Sequence, residues 1–170
     1  EAWELGKNWT HDKETLTKTY QEVARVHKEY AAMLKEIDPA ALDMGPVCAN
    51  ADFYDLAIPP FWELIGSTMP ILAVHRYPQT DQKAGNGHWD DAKLLRAPLE
   101  WADLCAKLTK MEKQYSPDKN ALLAVTEWNT CYHTPGPRQQ QIVGALFTAR
   151  NLGEMIKSGV DIANYWVLTG

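Results

Sequence analysis

Polar and aromatic side chains stand at the ends of three apolar runs in the sequence. Glu127 closes one run, and His75 and Tyr77 close a second. Trp166 lies near the end of a third. In parallel α/β folds the active groups lie at the carboxyl ends of the strands. Alternation of side chains assigns one inward-facing set to each run: Leu123, Val125 and Glu127; Ile71, Ala73, His75 and Tyr77; Ile162, Asn164 and Trp166.

If these faces point into a barrel, the four side chains meet at its mouth and suit hydrolysis of a glycosidic bond with retention. A carboxylate such as Glu127 attacks the anomeric carbon, and a Tyr or His hydrogen bond keeps it ionised and aimed. An indole such as Trp166 stacks on the apolar face of a sugar. A second carboxylic acid, about 5–5.5 Å away, protonates the leaving oxygen.

Each of these side chains also has a structural interpretation, which the sequence leaves open. Glu127 can form an ion pair with a loop cation such as Arg76. His75 and Tyr77 can be satisfied polar groups at the rim of the sheet. Trp166 can be a core aromatic that closes one end of the fold.

The elements that must position these residues alternate regularly along the chain. Apolar residues at steps of three and four predict helices over 12–37, 98–115 and 138–157, and the proline-broken stretch 53–65 predicts a loop and a short helix. Strands are predicted over 1–9, 40–49, 69–77, 121–129 and 160–168. Gly159 is a candidate helix C-cap. Five strands alternating with four helical segments predict a parallel sheet in one α/β domain over 1–170.

Composition excludes several other classes of protein. The 170 residues carry a net charge of −5, which argues against a basic nucleic-acid footprint. No apolar run approaches the ~20 residues of a membrane span. Three cysteines are too few for a disulfide scaffold. His75 and His133 lack a third ligand at a suitable spacing, so no metal or other cofactor is predicted.

Four motifs in this order resemble the later part of a clan A retaining glycoside hydrolase. They are WELGKN at 3–8, VHRYP at 74–78, LAVTEWN at 123–129 and GVDIANYW at 159–166. The resemblance is strongest to the arabinofuranosidase, β-xylosidase and endoglucanase-type branches. It implies the C-terminal portion of a (β/α)8 TIM barrel, about strands four to eight, acting on plant-type polysaccharide or oligosaccharide. By this resemblance Glu127 is the nucleophile, with His75 and Tyr77 on the sixth strand and Trp166 on the eighth.

The chain departs from the family pattern at the acid/base position. The fourth strand of the family reads Trp-Glu-x-Gly-Asn-Glu, whereas this chain has Asn8 where the last Glu is expected. If one residue is deleted instead, Trp9 takes that place. Glu4 lies four residues earlier, about 13 Å along an extended strand. An amide cannot act as the general acid, which typically contributes about 10²–10⁴-fold. A capping role for Asn8 before the first helix is the structural alternative.

Two functions follow as expectations. One is a retaining O-glycosyl hydrolase with Glu127 as nucleophile and its acid/base lost. The other is an inactive barrel that binds carbohydrate or serves as a structural or assembly subunit. An unrelated flavodoxin-like binding domain is a third interpretation.

A complete barrel typically needs about 250 residues, and this chain has 170. Five strands would leave two unpaired edges, over 1–9 and 160–168, which favour pairing with other chains. We therefore expect a truncated piece, or a second chain or self-association that completes the barrel. The compartment is left open, with secretion favoured over the cytoplasm.

Overall fold

The computed structural model describes residues 12–48, 51–79, 90–118, 120–131 and 139–167. It shows an α/β fold with a four-stranded parallel sheet in the order β1-β2-β3-β4. The strands are β1 (Met44–Cys48), β2 (Ile71–Arg76), β3 (Leu122–Trp128) and β4 (Ile162–Tyr165). The helices are α1 (Lys13–Ile37), α2 (Tyr54–Ile65), α3 (Asp91–Arg96), α4 (Trp101–Tyr115) and α5 (Ile142–Lys157). The strand predicted over 1–9 lies outside the described residues, as do Asn8 and its motif.

All five described helices contribute to one apolar core on one side of the sheet. Leu72 and Val74 of β2, with Leu123 and Val125 of β3, face this core. Ile71, Ala73 and Ala124 form a second, smaller cluster on the opposite side, which we call the inner face, with Val47 and Ile162 packed against it. A doubly wound sheet has helices on both faces and a reversal in strand order. The described sheet shows neither, which argues against the flavodoxin-like interpretation.

Local signals explain where several helices begin and end. Asp12 caps α1 by accepting a hydrogen bond from the Thr15 backbone amide, at 2.8 Å. Gly159 has a φ of +86° directly after α5, the left-handed conformation typical of a glycine at a helix end.

The sequence predicted that the prolines break the stretch 53–65 into a loop and a short helix. The break is wrong, because α2 runs through Pro59 and Pro60 without interruption. Two prolines remove two backbone donors from the helix. Seven of the twelve residues of α2 are nonetheless buried, including the fully buried Phe61. Burial of this face offsets the missing hydrogen bonds, so packing decides the structure against local propensity.

The helix predicted over 98–115 begins earlier than the sequence indicated. Asp90 caps α3 by accepting a hydrogen bond from the Lys93 amide, at 2.7 Å. A 3₁₀ turn, Ala97–Glu100, then joins α3 to α4, and Pro98 lies at the start of this turn. Proline suits the first positions of a helical segment, so the residue that suggested a helix start marks the joint instead. The helix predicted over 138–157 begins at Ile142.

Strand β3 contains one extra residue relative to both of its neighbours. Its register with β2 moves from Val74↔Val125 to His75↔Glu127, and its register with β4 shifts over the same stretch. The extra residue lies at Thr126, and such a β-bulge redirects the side chains that follow it.

This bulge corrects the predicted faces of β3. The sequence placed Leu123, Val125 and Glu127 on one face, but Leu123 and Val125 face the helices, and Ala124 lies on the inner face. After the bulge, Glu127 pairs with His75, which shares the inner face with Ala73 by alternation. Glu127 therefore reaches the inner face because of the bulge and not because of a simple period of two.

Candidate functional site

The described residues bring Glu127, His75 and Tyr77 together at the carboxyl end of the sheet. The Tyr77 hydroxyl donates to Glu127 Oε2 at 2.8 Å. His75 Nδ1 lies 3.4 Å from the same oxygen. Tyr77 and His75 are buried, whereas the Glu127 side chain is 27% exposed. One carboxylate oxygen is thus held by buried groups while the carboxylate stays open to a ligand.

The position of His75 is fixed from the helix layer as well as from the sheet. Tyr54, at the start of α2, is fully buried and donates from its hydroxyl to the His75 carbonyl at 2.6 Å. The Thr126 hydroxyl donates to the Val74 carbonyl at 3.4 Å. The bulge shifts the pairing of β2 with β3 between Val74 and His75. The two hydroxyl groups donate to the backbone carbonyls of these two residues, at the level where the pairing changes.

Arg76, the cation proposed for a simple ion pair with Glu127, points away from it. Its guanidinium donates to Glu100 and to the Tyr77 carbonyl. Arg76 pairs in register with Trp128, whose side chain lies in the helix-facing core. These contacts place Arg76 on the helix side of the sheet and Glu127 on the inner face, which argues against the ion-pair interpretation.

Trp166 follows β4 directly, and its side chain is 50% exposed. Its amide donates to the Trp128 carbonyl at 3.1 Å. Ile162 packs against the inner face, so alternation continues that face through Asn164 to Trp166. The sequence predicted that Trp166 contacts a sugar, and a half-exposed indole at this strand end leaves one ring face open for such a contact.

The strand ends are joined by further hydrogen bonds that the sequence did not reveal. The Asn129 side chain donates from Nδ2 to the Trp166 carbonyl at 2.7 Å. The Gln79 amide donates to the Thr130 carbonyl at 3.0 Å. Asn129, Thr130 and Gln79 are all buried. Short polar residues directly after an apolar strand were the signal available, but their partners lie far away in sequence.

The site consists of one carboxylate, Glu127, which Tyr77 and His75 hold on one oxygen and which stays partly exposed. Among the described residues, no group of three or more His, Cys, Asp or Glu side chains could hold a metal ion. Within the same ranges, none of the helices is both long and apolar enough to cross a membrane.

Comparisons with known proteins extend the description of the fold. No protein-family model and no curated protein matches the chain. The structure is similar to the crystal structure of the GH51 arabinofuranosidase from Xanthomonas axonopodis pv. citri, with a TM-score of 0.64 and 22% sequence identity. The similarity covers 88% of this chain and 33% of that chain. The α/β fold with its parallel sheet is thus similar to part of a known glycosidase structure, and this chain spans about a third of that enzyme's length, at 33%.

Proposed function

We propose that the site is that of a retaining O-glycosyl hydrolase, with Glu127 as the nucleophile. The observation that carries the proposal is the set of contacts around Glu127: a phenol at 2.8 Å and an imidazole at 3.4 Å, both on Oε2. They leave Oε1 as the oxygen that can attack. Contacts with one carboxylate oxygen fix the direction of the group, as a nucleophile at an anomeric carbon requires.

The one-sided helix layer supports the further proposal that this sheet is part of a (β/α)8 barrel. Four parallel strands in sequential order, with their helices on one side, are the arrangement of a barrel wall. The inner face would then be the barrel interior, and Glu127 would stand at its carboxyl-end mouth. The likeness to part of a GH51 arabinofuranosidase points the same way.

In the proposed reaction, Glu127 Oε1 forms a bond to the anomeric carbon while the bond from that carbon to the leaving oxygen breaks. The leaving oxygen takes the electron pair, and water later hydrolyses the glycosyl ester. Tyr77 and His75 hold the other carboxylate oxygen, and Trp166 offers an aromatic face to the sugar. Carbohydrate is the proposed ligand, a plant-type polysaccharide or oligosaccharide.

A second candidate function is a carbohydrate-binding or structural subunit without catalysis. The observation that favours it is Asn8, which stands in the sequence where the resemblance predicts the general acid. Asn8 lies outside the described residues, so its place relative to Glu127 is a prediction from sequence. A second chain or self-association likewise stays a prediction.

The test of the proposed nucleophile uses a reagent that needs no general acid. The protein is incubated with 2-deoxy-2-fluoro glycosides carrying dinitrophenolate, in the arabinofuranosyl, xylosyl and glucosyl series, and its intact mass is measured. We expect one glycosyl adduct on a peptide that contains Glu127, and none in Glu127→Gln. Glu14→Gln is the matched control, because Glu14 is an exposed carboxylate paired with Lys18 on α1.

The outcomes separate the two functions. An adduct on Glu127 without turnover of unactivated glycosides supports a nucleophile whose acid is lost. Sugar binding without any adduct supports the binding function and refutes the nucleophile. An adduct that persists in Glu127→Gln also refutes it.

A further inference from the structure

We propose that Asn129 is a positioning residue, which sets where Trp166 stands relative to Glu127; this rests on the proposed function of Glu127. Asn129 is 3% exposed and lies two residues after Glu127. Its side chain does not reach into the site. It acts on the site through the backbone that carries the indole.

Both ends of the Asn129 amide are used. Nδ2 donates to the Trp166 carbonyl at 2.7 Å, and Oδ1 accepts from the Thr130 amide at 2.7 Å. The Thr130 amide can only donate, so the carboxamide oxygen must face it and the NH₂ group must face Trp166. The orientation of the amide is therefore dictated by its two partners.

Trp166 is held at both ends of its backbone by the segment that follows Glu127. Its amide donates to the Trp128 carbonyl at 3.1 Å, and its carbonyl accepts from Asn129. Trp166 is 50% exposed, so packing against the core constrains its indole only in part. The backbone anchors then decide its place, and they run directly to the residue next to Glu127.

The same segment is also tied to β2. Gln79 lies two residues after Tyr77, and its backbone N–H donates to the Thr130 carbonyl at 3.0 Å. The junction of Asn129 and Thr130 thus joins the three strand ends that carry Tyr77, Glu127 and Trp166. A change at Asn129 should loosen the link to Trp166 and leave the contact between Tyr77 and Glu127 in place.

The test is saturation kinetics of the adduct at Glu127. Asn129→Asp keeps an oxygen that accepts from the Thr130 backbone amide. It replaces Nδ2, which donates to the Trp166 carbonyl, with an oxygen that cannot donate when ionised. We expect the half-saturating reagent concentration to rise about tenfold, which corresponds to about 1.4 kcal/mol. The maximal labelling rate should change less than threefold. Asn120→Asp, the same change at an exposed residue, is the matched control and should leave both constants unchanged.

A double-mutant cycle with Trp166→Ala tests whether Asn129 acts through the indole. In that background Asn129→Asp should raise the half-saturating concentration no further, because coupled residues are not additive. If Asn129→Asp does not fold, Asn129→Ala, which buries no charge, takes its place in the cycle. A wild-type constant in either Asn129 variant, or an effect that adds fully to Trp166→Ala, overturns the positioning role alone. A wild-type protein that forms no adduct overturns the proposed function and this role together.

Discussion

A methyl group added at Gly45 should destabilise the fold, because it would meet the ring of Phe61. A Cβ at this position would lie 2.6 Å from Cζ and 3.0 Å from Cε1 of Phe61, whereas ordinary contacts are 3.4–4 Å. Phe61 is fully buried, so its ring can move only by displacing its neighbours. Overpacking of this kind costs about 1–3 kcal/mol. Alanine also restricts the unfolded chain more than glycine does, which stabilises the folded state by about 0.4–1 kcal/mol and offsets part of this cost.

We therefore expect Gly45→Ala to lower the free energy of unfolding by about 1–2 kcal/mol. Phe61 belongs to α2, and the first turn of that helix carries Tyr54, which donates to the His75 carbonyl. The clash with Phe61 would therefore strain α2, the helix whose Tyr54 hydrogen-bonds to the backbone of His75.

The assay is equilibrium unfolding in urea, with Gly153→Ala as the matched control. A Cβ at Gly153 would meet nothing within 4 Å, and the residue lies inside α5. Alanine is favoured over glycine in a helix interior by about 0.5–1 kcal/mol, so this variant should be more stable than the wild type. The two changes should move the midpoint in opposite directions with an unchanged slope. If Gly45→Ala is as stable as Gly153→Ala, the packing argument at Phe61 is refuted.

Three further changes test the site and its supports. Tyr77→Phe should slow adduct formation at Glu127 roughly tenfold, because the carboxylate loses a donor that aims it; an unchanged maximal rate constant would contradict this. Trp101→Phe should cost about 1–3 kcal/mol in urea unfolding, since it leaves the buried Asn151 Oδ1 without the indole donor now at 2.8 Å; Asn151→Leu in the same background should recover part of the loss. Burial raises the pKa of Cys105 to about 11 from 9.0, so the unfolded state loses this proton first and stability should fall as pH rises from about 9 to about 11; Cys105→Ala should flatten that part of the profile.

The sequence predicted the sheet well where side chains alternate without interruption. In β2 a period of two correctly separated Ile71 and Ala73 from Leu72 and Val74. In β3 the same reasoning put Val125 on the wrong face, because nothing in a run of small and β-branched residues marks an inserted residue. The structure brings Tyr77 and His75 to Glu127, but the period of two that placed Glu127 on this face does not hold past Thr126.

Contacts between distant segments could not be read from the sequence. Tyr54 donates to a carbonyl 21 residues later, and Asn129 to one 37 residues later. Pro59 and Pro60 suggested a broken helix, because local propensity contains no information on the buried face of α2. The polar residues at the strand ends were visible in the sequence by type and place, whereas the residues that hydrogen-bond to their segments were not.

The bulge at Thr126 also divides β3 into two parts that protein engineering can treat separately. Before it, the strand is in register with both neighbours through Val125, and its side chains serve the helix core and the inner face. After it, Glu127 and Trp128 begin a new register with β2. Libraries that vary residues 122–125 would sample stability, and those that vary residues 127–130 would sample the proposed site. Removing Thr126 would merge the two registers without exchanging the faces, because Val125 would still face the helices and the next residue, Glu127, would still pair with His75 on the inner face.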